Sequence, residues 1–510
     1  MMLLGPFRRS FVFLASPSFL FSAFLFFFLT ITAGLLFATT PVVTVTLPAA
    51  GSQNESPVHF VASATSANCS KGIAAMRIYT APHVGVYTVD SAHLDTEIPM
   101  GPGYFNTVIV AWDNCGGVTA STVDITVTNP NLAPPRFLYD TEGSTNKIAG
   151  FSVNAATGAL TPLAQPPISV SAAPGLVSSD KGGYRLYATA SEYVNAYFIN
   201  RSNGYLTPVP GSPFKADVGG VTAVGVAVAP SGMFVYVTLA SFNGGTQGVA
   251  GFEVASDGSL APVAGSPFST GTLPASITVD PSGRYVYVGH YGSEIDAFSI
   301  DETSGSLTPV PGEPYTVTSP PGCYLCTGGG VLDLKTDVNG TYLFAPVEGD
   351  GTILVYRIDA SDGSLTEVPD SPYVLGEPDS PTYPGAEPSS ITVDPRNLYV
   401  YVDAATTNGD GGTTRNAVYF LSFNSSTGNF NGGGTFRVPT DDCEQNSMRV
   451  DPSGNFLYSA ADICQPAAGP GVILGFSTHQ QGGALPSLAG SPYPVTGDSV
   501  NSSDNIAVTQ

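Results

Sequence analysis

Basic side chains are scarce in this sequence. Lysine and arginine number 17 against 40 acidic residues, giving a net charge of −23 over 510 residues. Such a field repels polyanions, so nucleic acid is excluded as a partner. Tryptophan occurs once, at Trp112. A glycan site elsewhere in the chain would have to use tyrosines such as Tyr193, Tyr291 and Tyr383. The histidines number five, and no H-x-H or H-E-x-x-H spacing joins them into a metal site. No G-x-S-x-G is present, so a serine hydrolase would lack its nucleophile turn. The D-x-D-x-D-G loop of a calcium site is missing too, NGDGG at 408–412 being a distant echo.

Turn formers are abundant instead. Gly 58 and Pro 43, with 43% hydrophobic residues, describe a turn-dense β protein able to bury a large core. Arg8 and Arg9 precede an uncharged apolar run, Phe11 to Phe37. Residues 1–40 therefore read as a cleaved signal peptide or an uncleaved anchor, the only membrane contact expected. Either reading places the remainder outside the cytoplasm, whether periplasmic, secreted or surface-anchored. Six cysteines suit that oxidising compartment and fall into local pairs, Cys69 with Cys115, Cys323 with Cys326 and Cys443 with Cys464. The C-x-x-C at 323–326 lies between Pro320-Pro321 and Gly328-Gly329-Gly330, not at a helix start, so a loop staple is expected.

Residues 41–128 show alternating or β-branched runs at 42–47, 58–65, 73–79, 104–112 and 118–127, the pattern of a small β-sandwich. Trp112 stands three residues before Cys115, so a 69–115 disulfide would lie near its indole. The segment resembles bacterial immunoglobulin-like modules. Residues 129–135 within TNPNLAPP are a linker.

From 136 onward the chain repeats. A unit of the type FSIDETSGSLTP (298–309) recurs seven times, with apolar anchors Leu160, Leu206, Leu260, Leu307, Leu365, Phe430 and Leu485. Spacings of 46 to 65 residues suit four-stranded propeller blades. In the fourth unit SITVD, RYVYVG and EIDAFSI are the first three strands, and LTPVPGEPYTV is a proline-rich fourth strand at the edge. VDPSGRYVYVGH, 279–290, has near-copies at 228–239, 393–404 and 450–461, so it is mainly a building unit. The array starts at Arg136 without a first strand and ends on NIAVTQ, 505–510. The two ends can therefore complete one blade, giving an all-β chain with an N-terminal sandwich and a seven-bladed propeller over 136–510.

The alternation of DPSGRYVYV with GSLTPVPGSPF resembles lactonase-type seven-bladed propellers, the 6-phosphogluconolactonase-like family near the YVTN repeats. The resemblance implies histidine and arginine at the channel mouth, often with histidine just before an innermost strand. Here the matching segments TLPASI (272–277) and AEPSSI (386–391) carry none, and Arg415 is the main arginine on that face. A phosphorylated lactone lacks its cations, so 6-phosphogluconolactonase activity is not expected.

The long loops 240–248, 318–330, 375–388 and 403–415 share the face opposite the uniform turns, where a site for a small molecule, glycan or protein belongs. His290 stands on that face where sister units place Ala190, Leu239, Val347, Ala404 and Ala461, with Glu142 in the first. If the protein is an enzyme, His290 is its candidate general base, with Glu142, Glu348 or Asp403 as the orienting carboxylate. A capped strand end is the plainer reading. No cofactor is implied; Ca²⁺ is the ion such a carboxylate ring could hold, a solvated acidic rim being favoured. The sequence favours an exported binding scaffold, with an extracytoplasmic lactonase of unphosphorylated lactones as the alternative.

Overall fold

The computed structural model describes residues 40–510 except 56, 68, 82–83, 99, 101–102, 129–133, 217–219, 242–246, 318–328, 376–385, 409–411, 438–444, 462–470, 479–484 and 496–504. Among the described residues the regular structure is all strand, and no helix is long and apolar enough to cross a membrane. The apolar run 11–37 lies outside the described residues, as do Cys323, Cys326, Cys443, Cys464, His83, His479 and Tyr383.

Contacts divide the chain into two compact units, one built on 59–97 and 106–123, the other on 124–510 with 50–58 and 98–105. The N-terminal strands form two sheets. Val42–Leu47, Val58–Thr65 and His93–Ile98 make one, and Ser52–Glu55, Val118–Thr128, Gly103–Asp113, Ile73–Ala81 and Val84–Val89 the other. Alternate residues are buried on each, Val58, Phe60 and Ala62 on the first and Ile109, Ala111, Ile125 and Val127 on the second. That is the period-two pattern of half-buried strands. Cys69 and Cys115 are bonded, with α-carbons 5.8 Å apart. Beside them Asp113 accepts from Ser66 Oγ at 2.7 Å and from the N–H groups of Cys115 and Gly117, at 2.9 and 2.7 Å.

Residues 137–508 form seven sheets in chain order. In the fourth, Pro274–Val279, Tyr285–His290, Glu294–Ile300 and Leu307–Pro309 pair consecutively. The repeated aspartate explains the turn between the first two strands. Asp280 Oδ1 accepts from the N–H groups of Arg284 and Tyr285 at 2.9 and 2.8 Å, and Asp337 does the same for Thr341 and Tyr342. VDPSG is therefore a self-capping hairpin. The proline-rich edge departs from one long strand. Leu307–Pro309 and Tyr315–Thr316 both pair with Glu294–Ile300, and the segment between them loops out. Pro311 and Pro314 carry no N–H to continue a ladder.

A tyrosine joins successive sheets. Tyr139, Tyr236, Tyr287 and Tyr458 donate through their hydroxyls to the carbonyls of Gly204, Gly305, Gly363 and Gly158. Each glycine lies in the turn before the next sheet's last strand, and the Tyr458 bond runs from the seventh sheet back to the first. Asn505–Val508 pairs antiparallel with Phe137–Glu142, Ile506 opposite Asp140 and Val508 opposite Leu138. The same strand lies against Gln445–Val450 and Pro174–Ser179, the first strands of the seventh and second sheets. The expected pairing of the chain's end with residues near 136–140 is thus present.

The segment 403–415, expected as a loop, is largely a hairpin. Tyr399–Asn408 pairs with Gly412–Asn424 through Thr406 opposite Arg415 and Thr407 opposite Thr414. Its β-branched threonines suit extended backbone.

Candidate functional site

His290 ends the second strand of the fourth sheet, opposite Pro274, and is fully buried. Its Nδ1 lies 2.9 Å from the Thr272 carbonyl and its Nε2 3.0 Å from Asp296 Oδ2. The Thr272 carbonyl accepts from Nδ1–H, and an ionised Asp296 accepts from Nε2–H, which makes the ring an imidazolium while Asp296 is charged. Burial alone would push the histidine pKa down. The hydrogen bonds to Asp296 and Thr272, with the Asp296 and Glu294 charges, outweigh it and hold the pKa above the ordinary value.

Asp296 is buried, and Oδ2 also accepts from the Gly271 N–H at 2.8 Å. Burial raises its pKa, but His290 and Gly271 hold it below the carboxylate range. Glu313 completes the group. Burial, the Asp296 charge and a shared hydrogen bond push its pKa up. In sister sheets Ser212, Ser266, Ser371 and Ser491 stand there and accept from a strand N–H at 2.9 to 3.1 Å. The Asp296 position holds Asn195, Ala250, Leu354 and Leu474 elsewhere. Three departures from the repeat therefore meet in one sheet. Comparing third strands as closely as second strands would have found Asp296.

The carboxylate on His290 is thus Asp296, and none of the three acids expected near it bonds the imidazole. Glu142 is buried, accepts from Thr145 Oγ1 at 2.6 Å, and has its pKa raised mainly by burial. Glu348 has its pKa raised by burial and by the Glu387 charge. Asp403 lies within a strand rather than a loop, opposite Ser390 and Val418. Neither of its oxygens has a hydrogen-bond partner among the described residues, and burial holds its pKa well above the ordinary value. The Ala404 N–H opposes that rise without reaching hydrogen-bond geometry.

A second polar group was not visible as a motif. The residues opposite the repeated second-strand aromatic are Ala507, Ser178, Ala227, Thr278, Lys335, Thr392 and Arg449. Two of these seven are cations. Lys335 Nζ donates to Asp333 Oδ1 at 2.6 Å and to the Leu334 carbonyl at 3.0 Å. Arg449 Nη1 lies 3.6 Å from Asp333 Oδ2, which also accepts from Ser390 Oγ and the Ile391 N–H at 3.2 and 3.1 Å. Burial and the Arg449 charge lower the lysine pKa against the pull of Asp333. Burial raises Asp333, but Lys335 and Arg449 hold it below the usual range. The sequence signal is a charge inside an otherwise small or apolar first strand, away from the long loops.

Residues 212–324 match the family described as Lactonase, 7-bladed beta-propeller. Over that span the array is similar to lactonase-type β-propellers. The propeller resembles the periplasmic gluconolactonase of Pseudomonas aeruginosa at TM-score 0.55 and 16% identity, over 74% of this chain and 99% of that one. Putative 6-phosphogluconolactonases of Bacteroides fragilis and Bacteroides uniformis give TM-scores of 0.54 and 0.53 at 16% and 18% identity. They cover 75% and 74% of this chain and 100% and 99% of theirs. No curated protein matches it in sequence. At such identities the likeness carries the fold. Asp333, Lys335, Ser390 and Arg449 lie on or beside the first strands of the fifth, sixth and seventh sheets.

Proposed function

We propose that this protein is an extracytoplasmic binding propeller, with an immunoglobulin-like domain as its stalk and its C-terminal strand closing the ring. The observation that carries the reading is the state of His290. Its two nitrogens are bonded within the protein and no surface of it reaches solvent. A general base needs a free nitrogen within reach of the proton it takes. The disulfide at Cys69 and Cys115 supports export. Ligands are expected in the channel and at its loop-bearing mouth.

The test is a hydrolysis panel on full-length protein, with δ-gluconolactone and other unphosphorylated lactones, with and without Ca²⁺. Rates at the uncatalysed background are expected. Turnover abolished by His290→Ala in a folded variant would establish the second reading, an extracytoplasmic lactonase. That reading is favoured by the likeness to a protein named as a periplasmic gluconolactonase.

A further inference from the structure

We propose that Lys335 and Arg449 form a channel site for a small carboxylate monoanion. The inference rests on the binding reading and names its ligand class. Charge is the first argument. Asp333 offsets one of the two cations, leaving one positive charge in a chain of net charge −23. A lone positive site in that surround draws a small monoanion better than a polyanion, which the rest of the surface repels.

Open donors are the second argument. Arg449 makes both its contacts, to Asp333 and to the Met448 carbonyl at 2.7 Å, through Nη1. Nε and Nη2, the side-on pair, have no hydrogen-bond partner among the described residues. That pair matches the two oxygens of a carboxylate. Lys335 has used two of its three N–H donors. The side chains of Lys335 and Arg449 stay 25% and 20% accessible although burial dominates the lysine's titration. They are deep-set groups that a small solute can still reach. Ser447 lies two residues before Arg449, hence on the same strand face, and its buried Oγ has no partner among the described residues. It could meet a hydroxyl of a hydroxy acid. The competing account is an interblade ion cluster with no ligand.

Calorimetric titration of full-length protein at constant ionic strength separates the two, with sodium acetate and sodium D-gluconate as probes and sodium sulfate as the dianion. Saturable one-site binding of gluconate is expected, weakened about tenfold or more by Lys335→Met and by Arg449→Met, the usual scale for a charged hydrogen bond. Arg449→Lys keeps the charge but loses the fork, so it is also expected to weaken binding. It provides the measurement if the methionine variants do not fold. Exposed Lys181→Met should leave affinity unchanged. No saturable binding of either carboxylate, tighter binding of sulfate than of gluconate, or wild-type affinity in the folded variants would overturn the site. Wild-type affinity in the variants leaves the binding reading standing and moves its site elsewhere. Lactone turnover without carboxylate binding removes both.

Discussion

His290 gains its meaning from what it touches. It and Asp296 together hold the Thr272 carbonyl and the Gly271 N–H, so the pair pins the segment entering the fourth blade. Removing the imidazole leaves a buried carboxylate beside an unpaired carbonyl. His290→Ala is therefore expected to cost roughly 3–5 kcal/mol by chemical denaturation. His290→Leu with Asp296→Leu, residues that sister blades carry, should recover much of that loss. The pH dependence follows from the two directions. The raised histidine contributes fully below its unfolded value of about 6.5, and the contribution fades as pH rises through the folded value. The lowered Asp296 contributes fully above about 3.9, fading as pH falls through its folded value. Wild type should exceed the double leucine variant most clearly between those limits. A flat difference across that range and above it would refute the ion pair. Asp403 has the opposite character. Its register matches Thr141, Thr189 and Thr238, whose hydroxyls donate to carbonyls of the next blade's innermost strand, Gly175, Val224 and Ala275. A raised carboxyl contributes fully below about pH 3.9 and loses that contribution as pH rises through its folded value. Asp403→Thr should therefore stabilise by about 1–3 kcal/mol at pH 7, with the gain shrinking in acid.

At the scale of the element, the turn glycines explain why the repeat is legible. Gly363 has φ +80°, and a Cβ there would clash with the Tyr285 ring. Its carbonyl accepts the Tyr287 hydroxyl at 3.0 Å. Spacing, sterics and the interblade bond thus constrain one position together, and such positions survive in the sequence as SDGS and TSGS. Tyr287→Phe should cost about 0.5–1.5 kcal/mol. Gly363→Ala should cost more, because the left-handed backbone adds about 1–2 kcal/mol to the clash. Equal melting of both variants and wild type would show the clasp to be idle. The strands and the anchor leucines could be read because burial with period two is a local signal. The ends of strands could not. Residues 403–408 read as loop from their Asn, Gly and Asp neighbours, yet cross-strand pairing carries the hairpin through them. Asp296 and Glu313 escaped for another reason. Each is unremarkable in its own segment and acquires a role only through a histidine on a neighbouring strand.

On the scale of the whole molecule, the last strand pairs with Phe137–Glu142 and lies against Gln445–Val450. Ile506 is fully buried among Leu138, Phe151, Tyr458 and Ile473, side chains of the first and seventh blades. Without 505–510, Phe137–Glu142 would become an edge with unpaired N–H and C=O groups beside an apolar face. Each blade packs its neighbour, so an opening at one joint exposes two blades rather than one strand. Ile506→Asp places a charge in that joint without shortening the chain. Both changes are expected to lower the denaturant midpoint of the propeller as one cooperative transition, followed by circular dichroism at 215–220 nm, a window that reports β-sheet on the order of the whole array. They should also promote concentration-dependent association through the exposed edge, seen by light scattering. A truncated protein that keeps the wild-type midpoint and stays monomeric would show that the terminal strand is an addition to a ring already stable. The Tyr458 bond to Gly158 and the apolar contacts around Phe151, Phe456 and Leu488 then remain between the first and seventh sheets, and Tyr458→Phe in the truncated background tests the bond. If the terminal strand is the main clasp, the hydroxyl alone adds only about 1 kcal/mol in the full-length chain.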